Sequence, residues 1–362
     1  MTKAPGSGRT MLVRILMALF IIGAMAAFIV VNTAKPRVLV LHSYDTEYIW
    51  VRDINVGLNR TLLGKPYTLR WHYMDTKRNP DEAFKQRAGV LARRIIEDWD
   101  PDLIIAVDDD AQRYAVKLYA NHPKIKIVFA GINGEIAPYG YDKARNVTGI
   151  LERKQWLGVK NLIEETVRPR VPADRPVRIA YVGDTSGSVK EDTRFLNEFD
   201  WKPFILHRSK LVKTFDEWKA EVKRANLEAD VLLTTNYRRI QASEADDKKM
   251  VAPDELVKWT EDNTPKIPII GTNGFYVEDG GMMALATSPF EQGRVAAEMT
   301  IQILDRKVSP NSIPVQSTQQ FISYMRAERL RQNDFKVPPV YESFSRAMNN
   351  YYESSALPPQ GR

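Results

Sequence analysis

A chain of 362 residues, 44% hydrophobic and 27% charged, is long enough for two lobes with buried cores. Its formal charge of +7 is spread over interspersed bases and acids rather than gathered in a stripe, which argues against nucleic acid as a partner. It has no cysteine, which excludes disulfides, thiolate metal sites, a cysteine nucleophile and a lipid-modified N-terminal cysteine.

Lys3, Arg9 and Arg14 precede residues 15–31, which carry no charge. As a helix that segment is about 26 Å long, close to the ~30 Å hydrocarbon core of a bilayer. The basic flank favours an inside N-terminus and an exported body. Ala24-Met25-Ala26 offers a cleavage site, but cutting there leaves five apolar residues on the mature end, Ala27 to Val31. Residues 1–34 therefore read as a cytoplasmic n-region and a transmembrane anchor, with a cleaved signal segment as the alternative, ahead of a periplasmic or otherwise extracytoplasmic body.

From 38 onward strands and helices alternate. Residues 38–41 form an apolar run suited to a parallel strand buried on both faces, and Trp50, Ile54, Leu58 and Leu62 give the next helix one apolar stripe. Further strands are expected at 69–73, 103–107 and 126–130, with a helix from Asn79, as N-cap before Pro80, to Trp99. A second series follows a crossing near Asn146: strands at 177–182, 231–234 and 267–270, and a helix capped by Thr214 and Glu217. Ser288-Pro289-Phe290-Glu291 opens a late helix, residues 315–324 suggest a last crossing strand, and Tyr341, Phe344 and Met348 have helical spacing. The fold class is α/β, two lobes each with a mostly parallel sheet flanked by helices, preceded by the N-terminal membrane segment.

Open α/β sheets bind ligands beyond the carboxyl ends of their strands. Here those ends carry Ser43 and Tyr44 with Trp50 following, Asp108 and Asp109, Asn133, Asp184 and Ser186, Asn236 and Tyr237, and Asn273 and Phe275. Hydroxyls, amides and carboxylates suit a polar head and the aromatics an apolar body, so these twelve residues are the candidate ligand site. Asp108-Asp109-Asp110 has no further acid at metal-site spacing and reads as a helix start with one ligand-facing carboxylate; no metal or cofactor is expected. The loop 183–190 lacks the Gly-Lys-[Ser/Thr] ending of a nucleotide-hydrolysing loop, and neither Gly-x-Ser-x-Gly nor His-Glu-x-x-His occurs. A non-enzymatic binding protein is the reading; an enzyme would have to use Asp108, Asp109 and His42. On this reading Ser43→Ala and Asp184→Ala weaken binding without touching stability.

Leu41-His42-Ser43-Tyr44 with Trp50 and Gly57, Asn146-Val147-Thr148-Gly149-Ile150, and Gly293-Arg294 with Ala296-Ala297 resemble the ABC-transporter substrate-binding proteins of the type I periplasmic-binding fold. Similar modules serve as extracytoplasmic sensor domains of histidine kinases and diguanylate cyclases. The resemblance implies three crossings, with lobe 1 at 36–145 plus 275–315, lobe 2 at 146–274 plus 316–352, and a flexible tail at 353–362. It implies a small-molecule ligand, an amino acid or aromatic compound. The implied partner is an ABC permease or, as the alternative, a membrane sensor protein.

Overall fold

The computed structural model describes residues 7–33 and 35–354, and their side chains except at 7–10, 26–33 and 246–248. The N-terminal segment is helical, α1 (Ser7–Thr33), with the side chains of 11–25 exposed. Among the described residues no helix is long and apolar enough to cross a membrane. Positions 26–31 of the expected span lie outside the described side chains, as do residues 355–362 of the expected tail.

The first lobe runs β1 (Arg37–His42), α2 (Ile49–Leu62), β2 (Thr68–Tyr73), α3 (Glu82–Trp99), β3 (Leu103–Val107), α4 (Asp108–Tyr114), β4 (Lys126–Ile132) and β5 (Val147–Leu151). Their sheet is parallel, in the order β5-β4-β3-β1-β2. Every residue of β3 and the run 38–41 of β1 are fully buried, as expected for central strands covered by helices on both faces. α3 starts later than the sequence suggests. Its N-cap is Asp81, which accepts from the Phe84 amide at 2.9 Å, while Asn79 is taken up by the Asp75 turn.

The second lobe follows as α5 (Trp156–Thr166), β6 (Arg178–Gly183), α6 (Gly187–Glu198), β7 (Ile205–Leu211), α7 (Phe215–Glu228), β8 (Val231–Thr234), β9 (Gln241–Ser243), β10 (Asp246–Met250), α8 (Pro253–Asp262), β11 (Ile269–Gly271), α9 (Phe275–Glu278) and β12 (Met283–Thr287). Thr214 and Glu217 close the capping box of α7. The chain then returns to the first lobe through α10 (Pro289–Leu304), which lies along α2, and β13 (Gln316–Ser317), which pairs with β5. It ends in the second lobe with β14 (Phe321–Arg326), α11 (Ala327–Gln332), α12 (Pro339–Ala347) and β15 (Tyr351–Tyr352). The second sheet is ordered β15-β14-β12-β11-β8-β6-β7, with β14 antiparallel to β12.

These pairings correct the expected lobe boundaries. β5 is hydrogen-bonded to β4, so 147–151 belongs to the first sheet; α9 and β12 stay with the second; and the expected strand at 315–324 is split, β13 in one sheet and β14 in the other. A local apolar run does not reveal which sheet will accept it, because either offers a buried edge. The three crossings fall at 152–155, at Ser288 and at 318–320. Gln292 ties two of them, donating to Leu151 O and Thr318 Oγ1 while accepting from the Gly131 amide.

Candidate functional site

The strand ends of the two sheets face each other across a polar cavity of about 60 Å³. β1, β3 and β4 of the first lobe contribute Tyr44, Asp108 and Asn133, and α2 contributes Trp50; the second lobe contributes Asn236, Asn273 and Phe275. These seven of the twelve expected residues line one space. Beyond Trp50 and Phe275 opens a second chamber of about 270 Å³, bordered also by Tyr48, Ala286, Pro289 and Tyr324.

Asp108 is held tightly in the site. Its backbone is left-handed (φ 65°), a region rare outside glycine although Asp and Asn enter it most readily, and it is 1% exposed. Oδ1 accepts from Trp50 Nε1 at 3.0 Å; Oδ2 has no partner. Burial holds this carboxyl well above the usual range, Glu152 pushes in the same direction, and Lys77 opposes. Backbone in a sparsely populated region and an unbonded buried oxygen both single Asp108 out among the cavity's side chains.

The neighbouring acids do different work. Asp109 accepts from Asn133 (3.2 and 3.1 Å) and from Tyr139 Oη (2.7 Å), and Asp110 pairs with Lys85 (3.0 Å). The three consecutive carboxylates thus point into three separate sets of partners. His42, stacked on Tyr73 and bonded to Asn55, is pushed down to about 3 by burial and does not line the cavity. The trio Asp108, Asp109 and His42 is therefore not assembled around one reacting position.

Five expected residues lie outside the cavity lining. Ser43 is fully buried: its hydroxyl donates to Val107 O (2.7 Å) and accepts from Ala111 N (2.8 Å), stitching β1 to α4. Asp184, also fully buried, accepts from Ser186 N and Oγ and from Arg239 N, so Asp184 and Ser186 build the turn into α6. Asp109 is engaged as described. Tyr237 is a core residue, 1% exposed, donating to Asp279 at 2.6 Å. The expected pattern for Ser43→Ala is accordingly reversed: a loss of about 1–2 kcal/mol of stability, with Ala111 N left unpaired, and affinity within twofold, read from urea unfolding and ligand titration.

The cavity also holds charges that strand-end reasoning passed over: Lys77, Glu152, Lys154 and Asp192, with Tyr48, Ser188 and Thr235. The Lys77 ammonium sits 4.8 Å from the Tyr44 ring centre and 4.4 Å from that of Tyr48, donating to Tyr48 Oη at 3.0 Å. Lys154, in the first crossing, bonds Asn273 Oδ1 at 2.8 Å and Glu152 at 3.3 Å, linking the lobes. Both follow strand ends, β2 and β5, and the signal that could have found them was that position. Asp192 accepts from Thr235 Oγ1 at 3.0 Å; burial raises it to about 6, against Lys154 and helped by Glu152.

The raised Asp192 has a pH consequence. A carboxyl whose folded value lies above its unfolded one near 3.8 contributes stability that is full below pH 3.8 and lost as pH rises through about 6. Asp192→Asn should remove that slope and leave the ligand-free protein about 2–3 kcal/mol more stable at pH 7 than the parent, measured by urea midpoints at pH 4 and 7.

At the cavity mouth the lobes already touch. Arg194 of α6 pairs with Glu135 at 2.8 Å, and Phe195 lies between the guanidinium groups of Arg194 and Arg153. Arg153 in turn gathers the carbonyls of Ile132, Asn133 and Gly134.

Comparison with known proteins places this geometry. A family model described as ABC transporter substrate binding protein matches residues 37–339. Among solved structures, the chain is similar to a conserved domain protein from Vibrio cholerae (17% identity, TM-score 0.61, covering 86% of this chain and 98% of that one). It is similar to a ligand-free, open substrate binding protein with adhesive properties from Clostridium difficile (16% identity, TM-score 0.61, 84% and 96% covered). A third is a domain from Streptococcus pneumonia solved with L-Trp (14% identity, TM-score 0.58, 86% and 98% covered). Curated proteins yield no match.

Proposed function

The chain belongs to the ABC transporter substrate binding protein family, and on that premise we propose that its cleft captures a small aromatic zwitterion of the amino-acid type for a permease. The observation that carries the reading is Asp108, buried, held in a left-handed backbone and with Oδ2 unpartnered at the cavity. A ligand ammonium would pair with that oxygen. Lys77 and Lys154 are the groups for its carboxylate. The 60 Å³ chamber has room for such a head but not for a ring, and the 270 Å³ chamber past Trp50 and Phe275 takes the ring. The likeness to a domain solved with L-Trp agrees with this choice.

Closure of the lobes through the three crossings would present the Glu135–Arg194 edge as one surface for the permease. Retained on the mature chain, the uncharged segment 15–31 would hold the body at the outer face of the inner membrane, and a retained segment also suits a sensory receptor that reports lobe closure to a membrane kinase or cyclase.

A thermal-shift screen of the full chain with L-tryptophan, L-tyrosine, 4-hydroxybenzoate and neutral sugars tests the reading. An aromatic amino acid at about 100 times its Kd should stabilise by ~2.7 kcal/mol. Stabilisation by 4-hydroxybenzoate or a sugar with none by an amino acid would refute the ammonium role.

A further inference from the structure

At the opposite end of the first lobe from the cleft, Lys126, Lys143, Arg145 and Lys307 border a surface depression of about 850 Å³ together with His122. No carboxylate lines it. Among the described residues none of these four side chains makes a hydrogen bond or ion pair. The acids on this edge are bonded to other groups, Asp100 and Asp102 to Lys124 and Asp305 to Lys65 and Tyr67, although Asp305 also feels the charge of Lys307. Asp142 adjoins Lys143 without lining the depression. Four cations therefore share one face that no carboxylate lines, with Asp305 shared between Lys65 and Lys307 as the nearby acid, and such a basic patch attracts an anionic surface.

The topology says what lies nearby. Lys126 starts β4, Arg145 precedes β5 and Lys307 follows α10, so the cations gather where the strands of the first sheet begin. β1 begins on the same edge, at Arg37, immediately after α1. In the order β5-β4-β3-β1, β4 stands two strands from β1, about 10 Å away. The depression therefore opens on the same edge of the first lobe at which the chain arrives from α1.

We propose that this basic base of the first lobe docks on anionic phospholipid headgroups. A lipid surface presents many phosphates in one plane, which matches four spread cations better than a single soluble anion does, and α1 leaves the lobe at the same level. Docking there sets the molecule's orientation. The parallel strands run away from the basic edge, so the cleft stands about 17–20 Å further from the surface, at the height of five or six residues of strand. The inference is independent of the ligand's identity: its failure would leave the thermal-shift screen unaffected.

The test is lysine acetylation of the full chain, read by mass spectrometry, with vesicles of phosphatidylcholine alone or mixed with phosphatidylglycerol. Lys126, Lys143 and Lys307 should label at least fivefold more slowly with the anionic vesicles, the partition expected of a single basic residue at such a surface. Lys258, on the other lobe and with its side chain 71% exposed, should label equally in both. High salt should abolish the difference, and Lys126→Gln with Arg145→Gln should reduce the protection at Lys143 and Lys307 while leaving the melting temperature in place. Equal labelling with both vesicles overturns the proposal. So does equal protection by inorganic phosphate with phosphatidylcholine vesicles, which would identify a soluble anion as the occupant.

Discussion

Asp108→Asn is expected to weaken ligand binding by two to three orders of magnitude while leaving the ligand-free protein close to its parental stability. Asparagine enters the left-handed region about as readily as aspartate, and its Oδ1 can keep the bond from Trp50 Nε1. What it cannot do is carry the negative charge that an ammonium requires. Truncating one partner of a buried charged pair costs about 2–5 kcal/mol, most of it because the other charge is left alone. Without ligand, burial disfavours the ionised form of Asp108, so a neutral amide in its place costs that state little.

The same logic fixes the sign of a pH effect. An ammonium draws Asp108 into its ionised form, so binding releases a proton and tightens as pH rises toward the raised pKa. Calorimetry in buffers of different ionisation enthalpy reads that release directly. A ligand that instead accepts a hydrogen bond from protonated Asp108 would release none, and would bind more weakly as pH rises.

Gly293→Ala should cost about 3 kcal/mol or more, at the upper end of what overpacking does. A Cβ at Gly293 would fall on Ile54 O and within 3.0 Å of Leu58 N; one at Gly57 would fall on Phe290 O and within 2.8 Å of Arg294 N. All four are backbone atoms, so no side chain can rotate aside. α2 and α10 would have to part, uncovering Ile54, Leu58 and Val295, now 0%, 0% and 3% exposed. Gly187→Ala is the control: a Cβ there meets nothing within 4 Å, and the unfolding midpoint should hardly move. Because α10 crosses back from the second lobe, the Gly293 variant should also loosen the relation between the lobes.

Gly57 and Gly293 were visible in the sequence as part of a family resemblance; their mutual contact was not, since a glycine in a helix looks the same whether it faces solvent or another backbone. The alternation of strands and helices was legible because buried parallel strands are apolar without interruption, as at 38–41 and 103–107. Strand ends located the cleft, and Tyr44, Trp50, Asp108, Asn133, Asn236, Asn273 and Phe275 do share it. The same rule brought in Ser43, Asp184 and Tyr237, whose polar atoms satisfy loop backbone or core carboxylate instead. It passed over Lys77 and Lys154 because a lysine in a loop resembles solvated surface until the opposite lobe covers it. Which sheet receives β5, β12 or β13 depends on long-range pairing, and no local pattern encodes that.

The proposed capture requires the two lobes to close on a ligand held between them. The chain has no cysteine, so cysteines introduced at the exposed Ala137, after β4, and Asn197, in α6, one on each lobe near the Glu135–Arg194 pair in sequence, would be the sole attachment points for spin labels. Their distance distribution, measured in the full chain with and without saturating L-tryptophan, should pass from broad and long to narrow and short. An unchanged distribution with ligand demonstrably bound would place the binding site elsewhere and rule out closure of the lobes upon it.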